Sequence, residues 1–205
     1  MSSHMKERPN AASIPGYTLG QPGSARSPMS DQEFALLKGT VLLGDEDLAA
    51  LRMAHEVLGD QVEDVLDVWY GFVGANAHLV KYFAGADGAP DARYLEGVRR
   101  RFAAWILDTT AANYDRAWLD YQYEVGLRHT RAKKNLTDDV RPGAEVVHLR
   151  YLIAFIVPLT ATMKPFLAKK GHAPDEVERM HQAWFKAVTL TAALWTQPYV
   201  PAQDF

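Results

Sequence analysis

The chain has 205 residues, no cysteine, 23% charged residues and a formal net charge of −3. Without cysteine there can be no disulfide, thiolate metal site, cysteine nucleophile or thiolate-ligated cofactor, so any metal must be held by histidine or oxygen ligands. The small net charge offers neither a nucleic-acid footprint nor a polybasic membrane surface. No apolar run is read as reaching the roughly 20 residues of a membrane helix, and there is no signal-peptide core, so the expectation is one cytoplasmic domain with an extension.

Residues 1–29 read as that extension, because Pro9, Pro15, Gly16, Gly20, Pro22, Gly23 and Pro28 interrupt any periodic pattern, and Met-Ser-Ser-His-Met at 1–5 resembles a cloning scar. The domain proper spans 30–205. Ser30-Asp-Gln-Glu33 reads as a capping box opening a short extra N-terminal helix that Gly39 ends. Asp45-Glu-Asp47 opens a second helix with Leu48, Leu51, Ala54 and Leu58 inward and Gly59 beyond it. Val62, Val65, Leu66, Trp69, Phe72 and Val73 repeat at three- and four-residue steps up to Gly74, which puts Trp69 on a buried stripe with Tyr70 beside it. Asn76 is expected to cap a short piece through Phe83, and Pro90 to sit in the first turn of a helix carrying Leu95, Val98, Phe102, Trp105 and Ile106 to about Thr110. Arg99, Arg100 and Arg101 form a basic cluster on that helix.

Asp115 to Arg128 supplies the next helix, which ends at His129, and a polar loop follows through Pro142 and Gly143. Two long helices, 144–169 and 174–195, complete the chain, the first bent or broken by Pro158 and Pro165. No strand-length alternation bounded by hairpin signals occurs, so the fold class is all-α with seven or eight helices, compatible with a globin-like helical sandwich.

On spacing alone His129 reads as a cation at a helix C-terminus or a solvent-facing side chain, with a metal or haem ligand as the other reading. Trp69 and Tyr70 read equally as aromatic core. His55, His78, His148, His172 and His181 form no His-x-x-x-His pair, which argues against a zinc site.

Whole segments carry more information than spacing. Ile14-Pro-Gly-Tyr17, Leu66-Asp-Val-Trp-Tyr-Gly-Phe-Val73, Arg101-Phe-Ala-Ala-Trp-Ile-Leu-Asp-Thr109, Trp118-Leu-Asp-Tyr-Gln-Tyr-Glu-Val-Gly-Leu-Arg-His129, Ala161-Thr-Met-Lys-Pro-Phe166 and Ala183-Trp-Phe-Lys186 together resemble the protoglobins, single-domain haem proteins related to globin-coupled sensors. The resemblance runs from about residue 14 to the C-terminus. It implies haem b, with His129 as the proximal iron ligand and the opposite iron position open. It places Tyr70 as the distal tyrosine with Trp69 as its neighbour, Phe102, Phe155 and Leu159 as pocket walls, and Arg101 as the favoured anchor of a haem propionate. No histidine lies between His78 and His129, so the helix of Phe102 supplies no distal histidine of the myoglobin kind. Two positions depart from the family pattern: Thr130 stands where several members have a second histidine, and Val157 where a tyrosine is expected before Pro158.

The function so implied is reversible binding of dioxygen, carbon monoxide or nitric oxide by a gas binder or sensor, with residues 14–29 covering the haem and a homodimer formed through the last two long helices. The ten residues after the final helix leave no room for an output module. The alternative is a haem enzyme, with nitric oxide dioxygenase, nitrite reductase, peroxidase-like or carbene-transfer chemistry, drawing electrons from a partner reductase. No nucleic-acid or membrane partner is expected.

Overall fold

The computed structural model describes residues 14–134, 136–140 and 143–205; the scar at 1–5, the start of the extension and Pro142 lie outside the described residues. Helix α1 (Asp31–Thr40) begins with the expected capping box: the Ser30 hydroxyl accepts from Glu33 N–H, and the Glu33 carboxylate accepts from the Ser30 backbone. Helices α2 (Asp45–Leu58) and α3 (Val62–Gly74) follow, with Leu51, Ala54, Leu58, Val65, Leu66 and Trp69 buried as their periodicity requires. The connection contains α4 (Ala77–Val80) and a 3₁₀ turn, Lys81–Phe83. Asn76 precedes α4 without capping it, because its side-chain amide donates instead to the Phe72 carbonyl at the end of α3.

Helix α5 (Ala92–Ala111) starts after Pro90, not on it: Asp91 is the N-cap and accepts from Tyr94 N–H at 2.8 Å, while Pro90 forms a single antiparallel bridge with Ala84. The carboxylate cap satisfies a donor that a proline in the first turn would only have removed. Helix α6 (Arg116–His129) is capped by Asp115 and ends at the histidine.

The anticipated helix 144–169 is three short ones: α7 (Leu149–Ala154), α8 (Ile156–Ala161) and α9 (Lys164–Leu167). Both interruptions lie four residues or fewer before a proline. Pro158 has no N–H for the Ala154 carbonyl and Pro165 none for that of Ala161, so the ladder lapses at Phe155 and at Thr162–Met163. Against expectation, Leu149–Lys170 is long and apolar enough in composition to cross a membrane, with a mean hydropathy of 1.5 over 18 residues. Gly171, at φ +77°, turns the chain and Pro174 opens α10 (Pro174–Thr196).

Among the described residues about two thirds are helical and none lies in a named strand, so the fold is all-α and globin-like. Helix α10 is its centre, packing on α2, α6 and α8. One core joins Leu58, Leu66, Ile106, Leu167, Met180 and Trp184, and a second joins Leu51, Trp118, Leu119 and Leu190. Burying side chains of that size contributes roughly 1.5–3 kcal/mol each, which holds α3, α5, α6, α8 and α10 around the cavity described next.

Candidate functional site

Three half-buried residues on apolar stripes, Val98 and Phe102 on α5 and Leu159 on α8, owe their incomplete burial to an internal cavity that they line together with Trp69, Tyr70, Phe155 and His129. About 190 Å³ of it is open to the centre of a water molecule, against roughly 10–15 Å³ for one water, so it has room for a ligand of many atoms. All seven residues singled out in the sequence border this one space, brought there by α3, α5, α6 and the α7–α8 segment.

His129 is positioned by its own helix. Its Nδ1 lies 2.8 Å from the Val125 carbonyl, one turn back. A carbonyl only accepts, so Nδ1 carries the proton and the lone pair of a neutral imidazole is left on Nε2, which among the described residues receives no hydrogen bond. Burial pushes the imidazole down to about pH 4, against the opposing effect of the Val125 bond and with help from the charges of Lys134 and Arg128. The ring is therefore neutral at pH 7, the form that can donate to a metal. It stacks on Trp195, with centroids 5.1 Å apart.

Trp69 packs edge-on against Phe102 at 5.7 Å and Phe155 at 5.1 Å. Tyr70 meets Phe83 at 6.1 Å and lies beneath the Arg99 guanidinium. Its hydroxyl is buried with no hydrogen-bond partner, and burial raises its pKa, so it remains a proton donor at neutral pH. Two more cavity-lining residues carry orphaned buried polar atoms, Trp105 (Nε1) and Thr191 (Oγ1). An unpartnered buried donor costs about 1–3 kcal/mol; among the described residues six further buried polar atoms without a partner belong to residues that do not line the cavity.

Arg101 borders the cavity but is held by protein groups: its guanidinium makes a bidentate pair with Asp138 at 2.7 and 3.0 Å and donates to the Pro15 carbonyl at 2.8 Å. Arg128 ties the Gly16 carbonyl and pairs with Glu124, which also receives Lys133. Tyr17 donates to Asp108 at 2.5 Å, while Ala25 and Ser27 donate their N–H groups to Glu124 and Asp120. Residues 14–27 are thereby fastened along α5 and α6.

Sequence reasoning missed several residues at the cavity. Trp195 continues the α10 stripe of Val188, Thr191 and Ala192, all cavity-lining, and that helical period is a signal that could have found it. Lys134, 5% exposed with Nζ 3.0 Å from the Tyr82 carbonyl and from the Tyr94 hydroxyl, and Asp138 come from an irregular loop whose composition signals nothing. Among the described residues the other histidines are engaged elsewhere: His55 with Leu107 and Thr110, His78 against the Tyr151 ring, His148 with Tyr82, His172 with Glu176 and His181 with Thr160. Among the described residues no cluster of three His, Asp or Glu side chains could hold a metal ion.

A family model, Protoglobin, matches residues 30–204. The chain belongs to the protoglobin family. No curated protein matches it. As a protoglobin it is a haem globin of a gas-binding family, and the cavity fits that group. Its aromatic and aliphatic walls suit a flat macrocycle, a neutral imidazole offers Nε2, cationic side chains border the same space, and the Tyr70 hydroxyl awaits an acceptor.

Proposed function

We propose that this protoglobin holds haem b through His129 Nε2 and binds dioxygen, carbon monoxide and nitric oxide reversibly on the side of Tyr70. The observation that carries this reading is the pairing, in one apolar cavity, of an imidazole whose Nδ1–H is committed to Val125 with a buried tyrosine hydroxyl that has no protein partner. Haem supplies the metal coordination site. The chain's residues supply the rest. Val125 directs the imidazole, and Trp69, Phe102, Phe155 and Leu159 exclude water and wall the pocket. The Tyr70 O–H donates to a ligand whose outer atom carries partial negative charge, as that of dioxygen does and that of carbon monoxide does less. One such bond is worth roughly 1 kcal/mol. Arg101, although engaged by Asp138 and the Pro15 carbonyl, is the proposed contact for a propionate, and residues 14–29, fastened along α5 and α6, are the proposed cover.

A homodimer through α7, α8 and α10 is supported by large apolar side chains left in solvent there, Ile153, Val157 (70% exposed) and Phe185. Val157 at the position expected for tyrosine makes that surface more apolar.

The test is an optical spectrum of the purified protein before and after dithionite and then carbon monoxide. Five-coordinate ferrous haem that converts to a carbon monoxide complex is expected, and the five-coordinate histidine-ligated signature should vanish in His129→Ala. A protein that takes up no hemin, or a His129→Ala variant with an unchanged spectrum, sinks the proposal. Stopped-flow mixing with nitric oxide and a reductase separates binder from enzyme: catalytic consumption would favour the enzyme.

A further inference from the structure

The ring of His129 has a second constraint besides Val125. A single hydrogen bond from Nδ1–H sets the direction of the imidazole but leaves the plane free to swing about the N–H···O axis. Trp195, near the end of α10, stacks on that plane with an interplanar angle of 25°. The indole is itself tethered: its Nε1–H donates to Gln122 Oε1 at 2.9 Å, and Gln122 is fully buried on α6. Gln122 and His129 are seven residues apart on one helix, two turns, and so share a face. The tether and the ring it serves thus stand on the same rigid element.

The backbone permits this contact at one point. A Cβ on Gly126 would lie 3.1 Å from the Trp195 carbonyl and 3.2 Å from the Pro198 ring, so a residue without a side chain lets the end of α10 close onto α6. The same end also holds the His129 main chain, whose carbonyl accepts from the Tyr199 hydroxyl at 2.9 Å and from Val147 N–H at 2.8 Å.

We infer that Trp195, tethered by Gln122, is a positioning residue that fixes the plane of the His129 imidazole and thereby the strength and uniformity of the bond this ring makes to haem iron. The inference rests on the reading of His129 as iron ligand. Groups around a metal-ligating histidine set its orientation and basicity; here Val125 sets the direction and Trp195 the rotation.

Resonance Raman of the ferrous, haem-loaded protein reads the iron–histidine stretch directly, and NMR of its diamagnetic carbon monoxide complex reads solvent exchange at His129 Nδ1–H. Trp195→Leu is expected to shift and broaden the stretch and to speed the exchange about two- to tenfold, the range that losing an aromatic stack implies. Gln122→Leu should move both readouts the same way by less, while Trp195→Phe, which keeps a stacking face, should stay near wild type. Far-ultraviolet circular dichroism confirms that each variant is folded. A folded Trp195→Leu with wild-type stretch and exchange overturns the inference. If that variant does not fold, a Gln122→Leu band coincident with wild type overturns it equally. A wild-type protein without the band, or a His129→Ala variant that keeps it, overturns the ligation reading instead.

Discussion

Arg101 and Asp138 face each other across the cavity wall as a bidentate pair, 12% and 9% exposed, joining α5 to the loop after α6. Breaking one side of such a pair leaves the other charge desolvated and alone, at a cost of about 3–5 kcal/mol. Asp138→Ala is therefore expected to lower the urea unfolding free energy by about that much, and Arg101→Met/Asp138→Leu to recover most of it. A single variant within 1 kcal/mol of wild type, on the scale of an exposed pair, would show that the pair is not buried in solution.

Gly16 sits at φ +74°, and a Cβ there would lie 2.1 Å from Thr137 Cγ2. Gly16→Ala meets both the left-handed backbone penalty, roughly 1–2 kcal/mol, and that overlap. It should release residues 14–17 from α5 and α6, seen as faster amide hydrogen exchange in the segment and faster haem transfer to an acceptor apoglobin. Adding Thr137→Ser removes the overlap and should restore only part of the loss.

Tyr70→Phe sets stability against ligand retention. The hydroxyl is buried without a partner, so removing it should leave the ligand-free protein as stable as before, or up to about 1 kcal/mol more so. Loss of the donated hydrogen bond should meanwhile speed dioxygen dissociation about fivefold, with carbon monoxide dissociation nearly unchanged. Equal changes for both gases would place the hydroxyl away from the ligand.

Lys134 carries a pH dependence whose sign is determined by burial, which pulls its ammonium down to about 8 from the usual 10.5. The folded state releases this proton more readily than the unfolded chain. Its contribution is thus full above pH 10.5 and lost as pH falls through 8. Between those values wild type should gain stability over Lys134→Met by up to about 3 kcal/mol, measured by urea unfolding at pH 8 and pH 10. A difference that stays flat or shrinks over this range would mean the amine is hydrated.

Much of the fold was legible because helix signals are local. The capping box of Ser30 and Glu33, the stripe from Val62 to Val73 and the Gly171–Pro174 stop and start occur where residue pattern places them. Two misreadings share one cause, competition among local hydrogen-bond partners: Asp91 outcompetes Pro90 as a helix start, and Asn76 turns back to Phe72. Pro158 and Pro165 break their apolar run as expected, because each removes a donor from the helical ladder. At the site, the seven residues picked from family resemblance do border one cavity, whereas Lys134 and Asp138 gave no sign of belonging to it.

His129 marks the boundary between the two kinds of knowledge. Residue types alone excluded cysteine chemistry, specified an all-α chain and placed a histidine at the end of a helix, where its i−4 carbonyl, Val125, was already determined by helical spacing. Tertiary structure decided that the ring would be buried and neutral, that Trp195 would lie on its face from 66 positions away, and that Tyr70 would be left with a donor and nothing to receive it. Periodicity reaches one helix turn at a time, while desolvation and stacking depend on which helices pack together, and that is settled only when α3, α5, α6 and α10 close around a common space.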